Sequence, residues 1–208
     1  MRAIVRVVVG VGAVLTLSAA AASATDIIDE WGTAKVPPKP ELKVVTLDSK
    51  TTALLLLDLN KMPCSERPRC VASVPNAKRL HDAARAAGVM VYYTSTPENF
   101  IDPSFAPKPG EFANTRGPDK YLGSDLDAHL KAKNIKTVIV CGTSAQGVVI
   151  GTGSGSAQRG YKVIVPVDCM SSEDPFNEEY AAWHMYKGGP AVVTSNTTLT
   201  RSTMVKFQ

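Results

Sequence analysis

The chain has 208 residues, with 23 lysines and arginines against 19 aspartates and glutamates, a formal net charge of +4, and 44% hydrophobic residues. A balance this close to neutral gives no reason to expect nucleic acid or an anionic membrane as a partner. The length fits one domain whose core is large enough to need neither a structural metal nor dense disulfides. The first residues carry Arg2 and Arg6, then an apolar run from Val7 to Leu17, then small residues ending Ala22-Ser23-Ala24, the three zones of a secretory signal peptide. Cleavage is expected after Ala24, the apolar run being shorter than the roughly 20 residues of a membrane span. A soluble mature protein is then expected, periplasmic or secreted, with no membrane contact. Residues 1–24 hold two arginines and no acids, so the remaining 184 residues (208 minus 24) carry 21 minus 19, or +2.

Residues 25–50 are polar and include Pro37-Pro38-Lys39-Pro40, which reads as an extended arm over the surface. The domain proper is expected over residues 51–208. Its apolar runs are Ala53 to Leu57, Val89 to Tyr93, Thr137 to Cys141, Lys162 to Val167 and Ala191 to Val193. Continuous apolar runs without alternation are what strands buried on both faces require. Helical stretches fall between them: Asn76 to Ala87 with Gly88 as stop, Ser124 to Lys133, the small-residue segment Ser144 to Arg159 closed by Gly160, and Pro175 to Lys187. Ser124 and Asp127 have the spacing of a capping box. Strand alternating with helix predicts an α/β fold, a doubly wound and mostly parallel sheet with helices on both faces. The long stretch from Ser95 to Gly123 holds five prolines and only a weak strand candidate at 112–115, and its place after a strand suits a lid or substrate wall.

Cys64 and Cys70 are six apart in a proline- and charge-rich segment and are expected to form a disulfide, export permitting it. No second ligand pair at zinc spacing follows, so a metal reading is disfavoured. For Cys141 and Cys169 three readings stay open: buried small hydrophobes, a second disulfide, or a nucleophile at Cys169. His81, His129 and His184 lie on three predicted helices without metal spacing. Gly151, Gly153 and Gly155 fail the dinucleotide spacing because Ser156 takes the last place, so close helix packing explains them better. No metal or other cofactor is expected.

Ligands of open α/β sheets bind beyond the carboxyl ends of the strands, which singles out Asp58, Asn60, Thr94 to Thr96, Cys141 to Gln146 and Asp168 to Ser172. An acid directly after four leucines sits in apolar surroundings suited to general acid or base work.

The order of motifs resembles the isochorismatase-like hydrolases, or cysteine hydrolase superfamily, over about residues 50–195. Leu54 to Asn60 is similar to the family's first strand, which ends in its catalytic aspartate. Gly123-Ser124-Asp125-Leu126-Asp127 is similar to its helix start, and Asn134 to Ser144 follows its next strand and turn. The resemblance implies a six-stranded parallel sheet, a non-proline cis peptide in that turn, and a triad of aspartate, lysine and cysteine. Val148 stands where the cysteine is expected, and neither it nor neighbouring Gly147 can serve as a nucleophile. The lysine role is assigned to Lys120, with Arg116 as an anion clamp. Asn60, Arg116, Thr143, Ser144, Gln146 and Val148 are expected to line the substrate. The metal-binding Asp-x-His of some family amidases is absent after the second strand.

These readings lead to an exported hydrolase acting on a small organic molecule, with Asp58 as acid or base. The rival is a non-catalytic member of the same fold binding a small ligand or a partner through the same cleft. The resemblance is compatible with a homo-oligomer. A thiol redox protein would need a Cys-x-x-Cys, which the sequence lacks.

Overall fold

The computed structural model describes residues 26–95, 97–108, 111 and 117–208. The signal-peptide reading of 1–24, the weak strand at 112–115 and Arg116 therefore lie outside the described residues. Residues up to Pro37 and residues Pro38–Gln208 are two separate compact units. In the first, residues 27–33 form turns, and Ile27, Ile28, Trp31 and Val36 are exposed.

The second unit opens with β1 (Val45–Leu47), β2 (Thr52–Leu57), a short helix α1 (Lys61–Cys64), the long helix α2 (Pro68–Ala86) and β3 (Met90–Tyr93). Two 3₁₀ turns, Pro97–Asn99 and Pro103–Phe105, precede α3 (Leu126–Ala132) and β4 (Thr137–Thr143). A π-turn, Ala145–Val149, leads into α4 (Ile150–Gln158), followed by β5 (Lys162–Pro166), β6 (Met170–Ser171) and α5 (Pro175–Trp183). A second π-turn (His184–Gly188), α6 (Ala191–Thr194), β7 (Thr197–Thr200), the turn Ser202–Met204 and β8 (Val205–Phe207) complete it.

Six strands form one sheet in the order β3-β2-β4-β5-β7, with β6 extending the pairing of β4, and every pairing is parallel. All six residues of β2 are buried. Because side chains alternate along a strand, Leu55 and Leu57 join one core with Leu126, Leu130, Ala157 and Met185, while Leu54 and Leu56 join the other with Ala77, Leu80, Ala84 and Phe105. Helices α3, α4 and α5 thus cover one face and α2 the other.

Three expectations need correction. The run Ala191 to Val193 is the short helix α6, and the strand is the threonine-rich β7, which escapes a search for apolar runs because an edge strand need not be apolar throughout. The arm is more than surface coil: Val45–Leu47 pairs in parallel with β8, and Lys43 donates its N–H to the Leu199 carbonyl at 3.0 Å. Helix α2 begins at Pro68, eight residues before the expected start, and carries Pro75 inside it. Pro75 removes the donor for the Val71 carbonyl, and Val71 is exposed, so water can satisfy that group. Its end is as expected, with Gly88 at φ +72° and Val89 N–H bonded to the Ala84 carbonyl. The Cys64–Cys70 disulfide is present, tying α1 to the first turn of α2.

Candidate active site

The chain runs from β2 to β3 on one side of the sheet and then crosses back to β4 on the other side of β2. That reversal opens a crevice at the carboxyl ends of β2 and β4, where open α/β sheets hold their ligands. In the parallel register Leu57 lies opposite Gly142, so Asp58 and Thr143 leave their strands side by side. Gly142 is required there: at φ +154°, a Cβ would stand 1.9 Å from the Leu57 carbonyl oxygen.

Asp58 adopts φ +51°, a left-handed conformation uncommon for a residue with a side chain. Thr94, at the end of β3 and 2% exposed, holds it from two directions. Its hydroxyl accepts the Asp58 N–H at 2.7 Å and donates to Asp58 Oδ1 at 2.6 Å. The other carboxylate oxygen, Oδ2, accepts from Lys120 Nζ at 2.9 Å. The Lys120 side chain is 2% exposed against 27% for Asp58, so the cation is sealed in and the carboxylate keeps a path to water.

The backbone around Lys120 is fixed by α4. Thr152 Oγ1 accepts the Lys120 N–H at 3.2 Å and donates to the Pro118 carbonyl at 2.9 Å. Gly151 and Gly155 leave room for this loop: a Cβ on Gly151 would meet the Pro118 oxygen at 2.9 Å, and one on Gly155 would meet Asp119 Oδ1 at 2.8 Å. The expected helix packing is real at Gly153, against Met185, but the outer two glycines seat the lysine loop. Ser124 assists by donating to the Lys120 carbonyl and accepting the Leu126 N–H. The capping box does not form as expected, since Asp127 turns to Lys131 and the Tyr161 hydroxyl.

On the β4 side, the Thr143–Ser144 peptide is cis. Thr143 is buried and donates to the Ser171 carbonyl, Ser144 is half-buried, and Gln146 is exposed with its Oε1 accepting from Ser172 Oγ at 2.7 Å. Asn60 pairs through its backbone with Phe100, and its Oδ1 is buried with no hydrogen-bond partner among the described residues. Asp58 and Lys120 are therefore in direct contact. Asp168, by contrast, spends both oxygens on Ser202 and closes the turn before β8.

A model of the isochorismatase domain matches residues 52–197. The chain belongs to the isochorismatase-like hydrolase family. It is 25% identical to N-carbamoylsarcosine amidase from an Arthrobacter species over 144 residues, 54% of this chain and 53% of that protein, so it spans about half the length of that relative. Its fold is similar to that of an isochorismatase family protein from Desulfovibrio vulgaris, with a TM-score of 0.62 and 21% identity over 74% of this chain and 95% of the other. The nicotinamidase of Staphylococcus aureus aligns with a TM-score of 0.60 and 16% identity over 73% of this chain and 99% of the other.

In this family member Val148 is buried in the same core as Leu57 and Tyr121. Cys141 and Cys169 are both free and buried among Leu56, Ile139 and Ile164, which selects the small-hydrophobe reading. Burial, with Cys141 adding to it, pushes the Cys169 thiol well above its ordinary value, opposite to what a nucleophile needs. Among the described residues no three His, Cys, Asp or Glu side chains are grouped to hold a metal ion. Thr94 stood among the strand-end candidates of the sequence, but the role it takes, bonding Asp58 through both its backbone N–H and its carboxylate, carried no sequence signal.

Proposed function

We propose that this chain is an exported hydrolase of a small organic substrate that works without a cysteine nucleophile. The observation carrying this reading is the Lys120 Nζ–Asp58 Oδ2 contact of 2.9 Å at the crevice between β2 and β4. With Oδ1 accepting from Thr94 and Oδ2 from Lys120, the Asp58 carboxylate is oriented to take a proton from an attacking water and return it to the leaving group. The buried ammonium balances charge on the carboxylate and steadies its position. Gln146, exposed just after the cis Thr143–Ser144 peptide, meets the negative charge that develops on the substrate. With valine at position 148, water replaces the thiol as the attacking group. Export rests on the three-zone pattern of residues 1–24.

The names of the amidase and nicotinamidase relatives put N-carbamoyl compounds and carboxamides first on a substrate panel, beside vinyl ethers and small esters. Turnover of one of these classes should fall by about 100-fold or more in Asp58→Asn with the circular dichroism spectrum unchanged. One observation favours a second reading, a ligand- or partner-binding protein: the position expected to carry a thiol is packed into the core. No turnover on any class, or turnover untouched by Asp58→Asn, would remove the hydrolase mechanism and leave that reading.

A further inference from the structure

Gln146 combines two properties that rarely go together. It is exposed at the carboxyl edge of β4, yet its amide is tied to Ser172, which is 1% exposed. Ser172 in turn is anchored by its own backbone: its N–H donates to Glu178 Oε1 at 2.8 Å. Glu178, on α5, is gripped through both oxygens by Arg69 of α2, with Nε 2.8 Å from Oε1. A chain of contacts thus runs from α2 through α5 and the end of β6 to the turn beside Asp58.

Hydrogen-bond satisfaction fixes which end of the amide faces outward. Among the described residues, Gln146 is the one partner of the Ser172 hydroxyl. If the amide were reversed, its NH₂ would donate to Ser172 Oγ and the buried serine O–H would have no acceptor among the described residues, which disfavours that orientation. The Gln146 oxygen therefore belongs to Ser172, and its NH₂, with two donors and no acceptor, is left to solvent at the turn that follows β4.

We propose that Gln146 is a donor-only recognition residue, which selects substrates bearing a carbonyl or carboxylate oxygen next to the scissile bond. Ser172, Glu178 and Arg69 are positioning residues that set its polarity. The inference rests on reading the β2–β4 crevice as the substrate site and adds the chemistry of what that site accepts. An acceptor oxygen binds the outward NH₂ without rotating the side chain, so no orientation has to be selected on binding. A donor-only group such as an ammonium finds the two N–H bonds pointed at it and is rejected.

The test is ¹H–¹⁵N NMR of the purified protein, following the Gln146 side-chain amide and the Asp58 backbone amide during titration with sodium benzoate, benzamide and benzylammonium chloride. Benzoate and benzamide should shift both signals saturably, and benzylammonium should shift neither. In Gln146→Glu, which keeps an acceptor for Ser172 but presents a carboxylate outward, benzoate binding should weaken about tenfold or more and benzylammonium binding should appear. In Ser172→Ala the amide is free to turn, so the discrimination between benzamide and benzylammonium should shrink with the fold unchanged. Acceptor probes that move Asp58 and leave the Gln146 amide still would overturn the donor role while sparing the site. Probes that move neither signal would overturn both, and unchanged discrimination in Ser172→Ala would remove the positioning chain.

Discussion

Thr94 shows how much of this site depends on single atoms. Its hydroxyl has one proton and two acceptors within reach, Asp58 Oδ1 at 2.6 Å and the Leu56 carbonyl at 3.4 Å, so the proton goes to the carboxylate. The oxygen accepts the Asp58 N–H in the same stroke, which secures a left-handed backbone that an aspartate would otherwise leave. Thr94→Val keeps the shape and removes both functions. It should cost about 1–3 kcal/mol of stability, because a backbone N–H and a carboxylate oxygen lose their partner, and any turnover that depends on Asp58 should fall about 10-fold to 100-fold. Thr94→Ser should retain most of both, by urea titration and by turnover. A threonine after an apolar strand is chemically unremarkable in sequence, so Asp58 was legible from its place after four leucines and Thr94's grip on it was not. Lys120 was legible only through spacing to Ser124. Its burial depends on Gly151, Thr152 and Gly155, thirty residues further on, and no local pattern links them.

At the level of elements, α4 works as a bed for the lysine loop. Its glycines look like a helix-weakening run, since each costs about 0.8–1 kcal/mol against alanine. Their placement explains the tolerance: a side chain at 151 would strike the Pro118 backbone, which cannot rotate away. Gly151→Ala should therefore separate stability from activity. The gain in helix propensity, about 0.8–1 kcal/mol, opposes the 1–3 kcal/mol of displacing the loop, so the net change in urea unfolding should stay within about 2 kcal/mol. Turnover should fall about tenfold, because Lys120 moves with the loop. Equal losses in Gly151→Ala and Gly153→Ala, the latter facing the flexible end of Met185, would argue against a dedicated seat. The central strands β2, β4 and β5 were legible for the reason that they are buried on both faces. The edge strand β7 and the strand β1 were not, because threonines at a sheet edge and a three-residue strand leave too little apolar signal.

At the scale of the whole molecule, the two faces of the sheet carry different duties. The face covered by α3, α4 and α5 supports the lysine loop and the β4 turn, whereas the α2 face is closed by an aromatic cluster of His81, Tyr93, Phe100 and Phe105 in edge contacts. The alternation of strand and helix made this layering legible, but the burial of a histidine within it was not, since His81 reads as any helix histidine. The His81 ring is 3% exposed and its Nε2 lies 3.0 Å from the Tyr93 hydroxyl. Burial pushes it below its ordinary value, Asp82 opposes that in part, and Arg85 and Lys78 add to it. The groups facing it from other elements are the Tyr93 hydroxyl and the Phe105 ring, with Glu111 occupied by Arg85. Between the lowered folded value and the ordinary one near 6.5, the unfolded chain binds a proton that the folded chain does not, so stability rises with pH across that window and is lost on acidification through it. The carboxylates of Asp82 and Asp127, held below their ordinary value of 3.8, contribute their loss at lower pH and do not overlap this window. Thermal unfolding followed between pH 7.5 and pH 5 should show the midpoint dropping in the native protein and a flatter profile in His81→Gln, which can still meet the Tyr93 hydroxyl but carries no titrating ring. Parallel profiles for the two proteins would mean that the acid sensitivity lies elsewhere and that the α2 face admits the charged imidazole without cost.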